Sequence, residues 1–439
     1  MLSLVLTLAL FVTNQAPSPA QKDAADQAAA AIADLAAGNF AAVEAKFNAR
    51  MQSTWPAGQL ATRWTMIVAG VGAHKECAPA PRVERRPGGD AVTTTCRFER
   101  ATLEVVVGID SVGKITGLAF RPAPAAATPY SPPSYADPAA YTEEELTIGG
   151  PEWALPGTLT MPVGAGPYPS VILVHGSGPG DRDATLGPNK PFKDIALGLA
   201  SRGIAVLRYD KRSKVHGSKM AASPSMTVKE EVIDDAGEAI KALRTRPRID
   251  AARIFVLGHS LGGMLIPRIV QAQPSIAGAI VLAGAARPIE DAMVEQARYL
   301  SMQDGAVSPA EQAQIDDLAK TAAAIKALGP ADVAAGTRLF GATPAYWLDL
   351  RGYDPPGAAR NVKIPLLILQ GERDYQVTME EFARWKSALA GTATATFRSY
   401  PALNHRFSAG TGKSVPDEYL IVSHVAEDVI RDIAAFIKR

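Results

Sequence analysis

The chain has 439 residues, of which 47% are hydrophobic, and a formal net charge of +1. This length exceeds one ordinary domain, and the apolar share is enough for a large core. Near-neutral charge with no basic stripe excludes nucleic acid and anionic membrane surfaces as expected partners.

The chain opens with an apolar run from Met1 to Val12, then polar and proline-containing residues to Ala20. The run is too short to cross a bilayer but suits the core of an export signal, with Ser18 and Ala20 as small residues for cleavage. The pattern departs from the usual one in lacking a Lys or Arg before the run. The expectation is a signal peptide over 1–20 and a mature chain without a membrane span, periplasmic or secreted.

Residues 21–120 read as a first unit. Alanine-rich helical patterns run from about Asp23 to Gln52 and through Trp64 to Val71, followed by strand-like runs Ala91–Phe98, Thr102–Ile109 and Lys114–Phe120. Helices followed by a meander predict a small α+β domain. The two cysteines, Cys77 and Cys96, flank a strand–turn–strand pattern that sets them nearly opposite each other. In an oxidising compartment that arrangement predicts a disulfide. The unit resembles the cone-shaped helix-plus-curved-sheet domains that precede some exported bacterial hydrolases. Its presence raises two roles: binding of envelope material, or homo-oligomerisation.

Residues 121–140, rich in proline with alanine, serine and tyrosine, predict an extended linker. From Tyr141 to the end at residue 439, strands alternate with helices. Strand candidates are Glu144–Ile148, Gly157–Met161, Ser170–Val174, Ile204–Tyr209, Ile254–Leu257, Gly278–Leu282, Pro365–Gln370 and Ala395–Tyr400. Helices are expected over Phe192–Ser201, Val228–Arg244, Leu261–Ala272 and Met379–Leu389. A last one follows Asp417, carrying Val422, Val425, Val429, Ile433 and Phe436 on one face. Continuous apolar strands such as Val171–Val174 belong in a buried parallel sheet, so the fold class is α/β, eight-stranded and doubly wound.

Residues 287–362, mostly helical in pattern, are far longer than an ordinary α/β connection and predict a cap over the sheet's carboxyl edge. Within it Tyr346, Trp347 and Tyr353 either line a pocket or pack the cap onto the core.

The segment Arg253–Gly263 carries a β-branched strand straight into Gly258-His259-Ser260-Leu261-Gly262, with a helix-forming stretch behind it. This G-x-S-x-G pattern holds a serine on a sharp strand-to-helix turn, exposed for covalent acyl transfer. Further segments accompany it: His175–Asp183, Arg208–Arg212, Gln370–Val377 and Asn404–Phe407. With these in this order, residues 141–439 resemble the α/β-hydrolase superfamily, and within it bacterial serine esterases related to dienelactone hydrolases and acyl-peptidases.

The chain order of that fold is nucleophile, acid, histidine. After Ser260 only His405 and His424 qualify as base. His405 follows the last strand in a loop, whereas His424 falls in the expected terminal helix, so His405 is the candidate. Asp374, just past the strand Pro365–Gln370, is the candidate acid, ahead of Glu372 and of Asp354 and Asp349. The oxyanion of a tetrahedral intermediate needs donors, and the Leu261 amide following the serine is one. The resemblance implies the Ser177 amide as the other, with Gly178 second. His175 and His259 read as bracing residues. Asp181-Arg182-Asp183 and Asp210-Lys211-Arg212 read as a salt-bridge lattice, with recognition of a charged substrate by Lys211 or Arg212 as the alternative.

Scattered histidines and the lack of a thiolate cluster or phosphate-binding fingerprint predict no metal and no cofactor. The expectation is a serine hydrolase acting on small-molecule carboxylic esters of short acyl chains. Peptide or thioester cleavage on the same triad, or a non-catalytic binding protein on this fold, are the alternatives.

Overall fold

The computed structural model describes residues 19–55, 58–86, 88–123, 129–335 and 338–439. All of the expected export signal except Pro19 and Ala20 lies outside them. The chain divides into two compact units, 1–127 and 128–439.

In the first unit the helices Pro19–Ala36, Phe40–Glu44, Ala49–Thr54 and Gln59–Val71 precede five strands. The first helix buries Ala24, Ala28, Ala31, Ile32 and Leu35, a three-to-four spacing that lays one stripe on the sheet. The strands are β1 (His74–Cys77), β2 (Arg82–Arg86), β3 (Gly89–Phe98), β4 (Thr102–Asp110) and β5 (Ile115–Pro122), all antiparallel. Leu103, Val105, Val107 and Ile109 alternate inward along β4, as a strand with one covered face requires. Both β1 and β2 pair with β3, which puts Cys77 opposite Cys96, and the two are joined in a disulfide.

The second unit holds β6 (Tyr141–Ile148), β7 (Leu155–Pro162), β8 (Tyr168–Val174), β9 (Ala205–Tyr209), β10 (Ile249–His259), β11 (Gly278–Leu282), β12 (Leu366–Gly371) and β13 (Ala395–Tyr400). Their order is β13-β12-β11-β10-β8-β9-β7-β6, and all pairs are parallel except those made by β7. Residues 171–174, 205–209, 278–282 and 366–371 are buried without a break, because helices cover both faces. The strand order reverses at β8, which lies between β9 and β10. The loop after β8 and the turn after β10 therefore meet at the carboxyl edge, where such sheets bind ligands.

Two expected boundaries shift. Residues 129–140 pack on the second unit: Tyr130 donates to Asp194 Oδ1 at 2.7 Å and Tyr135 to the Val425 carbonyl at 2.7 Å. The last helix spans Glu427–Ile437 and does not include Val422 or His424. The preceding amides are held elsewhere: Ser423 N–H donates to Asn189, Val425 N–H to Asp194 and Ala426 N–H to the Phe407 carbonyl.

Between β11 and β12 lie the helices Ile289–Ser301, Pro309–Ala327, Asp332–Ala335, Pro344–Leu350 and Pro355–Ala359. Val294, Ile315 and Ala322 form a small apolar cluster of this cap, apart from the main core.

Candidate active site

Ser260 sits between β10 and the helical turn Leu261–Met264 with φ 55° and ψ −115°. A non-glycine residue in this region carries about 1–3 kcal/mol of strain, which the surroundings must hold in place. They do so through close packing. A Cβ on Gly258 would meet the Gly262 carbonyl oxygen at 2.2 Å, and one on Gly262 would meet the Val174 carbonyl oxygen at 2.5 Å. Ser260 N–H donates to Leu282 O, and its own carbonyl accepts from Met264 N–H at 2.8 Å, which starts the helix.

Leu261 occupies the first helical position, where a backbone N–H has no intrahelical partner. The loop after β8 approaches from the other side: a Cβ on Gly176 would lie 3.1 Å from the Ser260 Cβ. Ser177 in that loop is exposed. Ser177, Ser260, Leu261 and His405 border one cavity of about 790 Å³.

Asp374 follows β12 and is buried with His405, whose Nδ1 lies 2.6 Å from Asp374 Oδ2. Asp374 Oδ1 accepts from the Gln376 and Val377 amides at 2.8 and 3.0 Å, and Oδ2 also accepts from Gln370 Nε2 at 3.2 Å. A carboxylate accepts, so the hydrogen bond at this contact is donated by His405 Nδ1, and Nε2 is the ring nitrogen left for other chemistry. The arrangement can take up a proton at Nε2 and balance the resulting charge.

Of the competing residues, Glu372 is exposed and accepts from Ser399 Oγ, while Asp349 pairs with Arg268. His424 binds Asp194 at 3.2 Å and does not border the cavity.

The bracing residues act through ring N–H groups. His259 Nε2 donates to the His405 carbonyl at 2.9 Å, and the two rings lie 4.6 Å apart. Burial pushes the His259 imidazole well below its ordinary value, so it is neutral beside His405. His175 Nε2 donates to the Asp181 carbonyl at 2.8 Å, and burial lowers its pKa to about 4.

The charged clusters are satisfied internally. Arg182 pairs with Asp210, Arg208 with Asp183 and Glu143, and Arg212 with Asp235. Lys211 has a further part that the sequence does not announce. Its Nζ donates to the Gly176 and Gly178 carbonyls at 2.9 and 3.2 Å, which sets the loop carrying Ser177. The same ammonium faces Glu231 at 3.3 Å, and Tyr346 of the cap donates to Glu231 Oε2 at 2.9 Å. Burial would raise the Glu231 carboxyl, but Lys211 and the Tyr346 hydroxyl hold it below its usual value. Glu231 projects from a π-helical segment, Lys229–Asp234, a form often found at functional sites. Tyr346 and Trp347 border the cavity. Tyr353 does not border it and donates to the Met264 carbonyl instead; all three rings pack in or against the main core, so Tyr346 and Trp347 meet both sequence readings and Tyr353 only the packing one.

Among known families, the one described as serine aminopeptidase, S33, matches residues 189–412. Esterase EstD of Thermotoga maritima is 41% identical over 340 residues, which cover 77% of each chain. The chain belongs to this family of α/β hydrolases. Solved structures similar to this hydrolase include Est1E from Butyrivibrio proteoclasticus, with 16% identity, TM-score 0.42 and coverage of 67% of this chain and 97% of that one. An esterase from Pyrobaculum calidifontis has 18% identity and TM-score 0.46, covering 68% of this chain and 84% of that one.

Proposed function

We propose that this hydrolase cleaves small-molecule carboxylic esters through an acyl-enzyme intermediate. Ser260 Oγ attacks the acyl carbon as His405 Nε2 takes its proton, and Asp374 holds the imidazole and stabilises its charged form. The negative oxygen accepts from the Ser177 and Leu261 amides. Collapse passes the proton from His405 to the departing alkoxide, and the alcohol leaves. Water, deprotonated by the same imidazole, then attacks the acyl-serine and releases the acid and the serine.

The observation that carries this reading is the buried His405–Asp374 pair, whose imidazole borders the same cavity as the strained Ser260. A relative named as an esterase at 41% identity supports ester bonds as the target. The cavity, with Tyr346 and Trp347 in its wall, is of small-molecule size, and short acyl chains are part of the proposal. The family's description as an aminopeptidase favours peptide cleavage as the second reading. Matched butyryl ester and butyryl anilide substrates decide between them. The ester reading expects the ester to be cleaved, the anilide far more slowly, and both rates to vanish in Ser260→Ala. Faster anilide cleavage would reverse the choice.

We further propose export, supported by the apolar run at Met1–Val12 and by the Cys77–Cys96 disulfide, which suits an oxidising compartment. Homo-oligomerisation is proposed for the first unit, and sedimentation of the chain with and without residues before 128 tests it.

A further inference from the structure

Arg406, the residue after His405, borders the Ser260 cavity. Its backbone N–H donates to Asn404 Oδ1 at 3.0 Å, but its guanidinium has no ion pair or hydrogen bond among the described residues. Its Nε is fully enclosed without a partner. The other cations enclosed near the site are paired: Arg208 with Asp183 and Glu143, Arg212 with Asp235, and Lys211 with Glu231. Arg406 as a whole is half-buried; unlike those cations, its guanidinium has no protein counter-charge among the described residues and is left to meet one in the cavity.

Among the described residues, the nearby carboxylates make no ion pair with it. Asp374 is committed to His405 and to the Gln376 and Val377 amides. Asp194, which borders a small cleft on another side of Arg406, is taken by Tyr130, His424 and the Val425 amide. Burial pulls the Arg406 pKa below the ordinary guanidinium value, against the pull of Tyr419, Asp374 and Tyr375, yet the group stays charged at neutral pH.

We propose that Arg406 is a specificity-determining residue that binds a carboxylate on the ester substrate, on either its acyl or its alcohol portion. This rests on the esterase reading and names its substrate class. One guanidinium offers a planar pair of donors matched to one carboxylate, whereas a phosphate dianion calls for more positive charge than the site provides.

The test compares esters matched in length with and without a remote carboxylate. Monophenyl adipate against phenyl hexanoate places the charge on the acyl side; 4-carboxybenzyl butyrate against benzyl butyrate places it on the alcohol side. Wild type should favour the anionic member of one pair by about 10–100-fold in kcat/KM, the worth of a charge-assisted hydrogen bond in a low-dielectric site. Arg406→Gln should bring that ratio close to one, mainly through KM, and Arg406→Lys should retain part of it. A merely structural role would lower both members of a pair alike. If wild type cleaves neutral esters but prefers neither anionic member, the proposal is overturned while the esterase reading stands. If no ester turns over, binding of the same four compounds to the Ser260→Ala protein decides. Tighter Arg406-dependent binding of an anionic member keeps the carboxylate site and removes the ester chemistry; equal binding removes both.

Discussion

His405 and Asp374 are joined by a 2.6 Å contact, Nδ1 to Oδ2, between two side chains that are both almost completely buried. The aspartate is held by two backbone amides and by Gln370, so it fixes both the tautomer and the direction of the imidazole. Asp374→Asn leaves the shape but replaces the acceptor with a group that can hold the wrong tautomer. Its kcat on phenyl butyrate should fall by about a thousandfold or more with KM little changed. A loss below tenfold would mean that Asp374 does not orient the base.

The elbow around Ser260 depends on the absence of side chains. At Gly258 a methyl group would strike backbone, which cannot rotate away as a flexible side chain can. Gly258→Ala should lower the stability of the second unit by about 2–4 kcal/mol, read from its denaturant midpoint. Gly217→Ala, where a Cβ meets nothing within 4 Å, is the control and should stay near wild type.

The Lys211–Glu231–Tyr346 chain ties the Ser177 loop to the cap. Glu231→Gln leaves Lys211 enclosed without its counter-charge, and the expected cost is about 3–5 kcal/mol in stability. Loss of loop position should also lower kcat. Tyr346→Phe removes one bond to a charged acceptor, a cost of about 2 kcal/mol, and should act more on KM than on kcat. Urea titration and steady-state kinetics of the two variants check this ordering, and equal effects would contradict it.

Buried His175 predicts an acid-sensitive fold. Its folded pKa of about 4 lies below the unfolded value of 6.5, so the unfolded chain binds more protons between those values. Stability is therefore full above about pH 6.5 and is lost as pH falls toward 4, by about 3 kcal/mol from this residue. His259 adds to the loss in the same direction. In His175→Gln, whose amide N–H can still reach the Asp181 carbonyl, the fall in stability between pH 7 and pH 5 should shrink. An unchanged slope would show that His175 does not supply it.

The disulfide closes a loop with sequence separation 19. By loop-closure entropy, replacing Cys77 and Cys96 together with serine should cost the first unit about 3 kcal/mol. Calorimetry should show its transition move down while that of the second unit stays in place. A shift of the second transition instead would contradict this.

Much of the architecture is legible because its signals are local. Continuous apolar strands, the glycines around Ser260 and the loop position of His405 each follow from a few adjacent residues, and the strand runs of the second unit agree with the eight observed. The last helix starts later than the apolar period through Val422 predicts, because the amides of Ser423, Val425 and Ala426 are taken by Asn189, Asp194 and Phe407 from distant segments. Long-range hydrogen bonds overrode the period. Lys211 reads from its neighbours as part of a salt-bridge lattice, yet it also carries the loop after β8, since its partners Gly176 and Gly178 lie across the sheet edge. Arg406 is silent for the same reason: what sets it apart is the missing partner, which only the folded chain reveals.

The most direct test of the central claim is mass spectrometry of the enzyme quenched during turnover of 4-nitrophenyl butyrate. The account predicts one butyryl adduct, on the peptide containing Ser260, together with no adduct and no turnover in Ser260→Ala. Substantial turnover by the alanine variant, or an adduct on another residue that turns over at the catalytic rate, would contradict it.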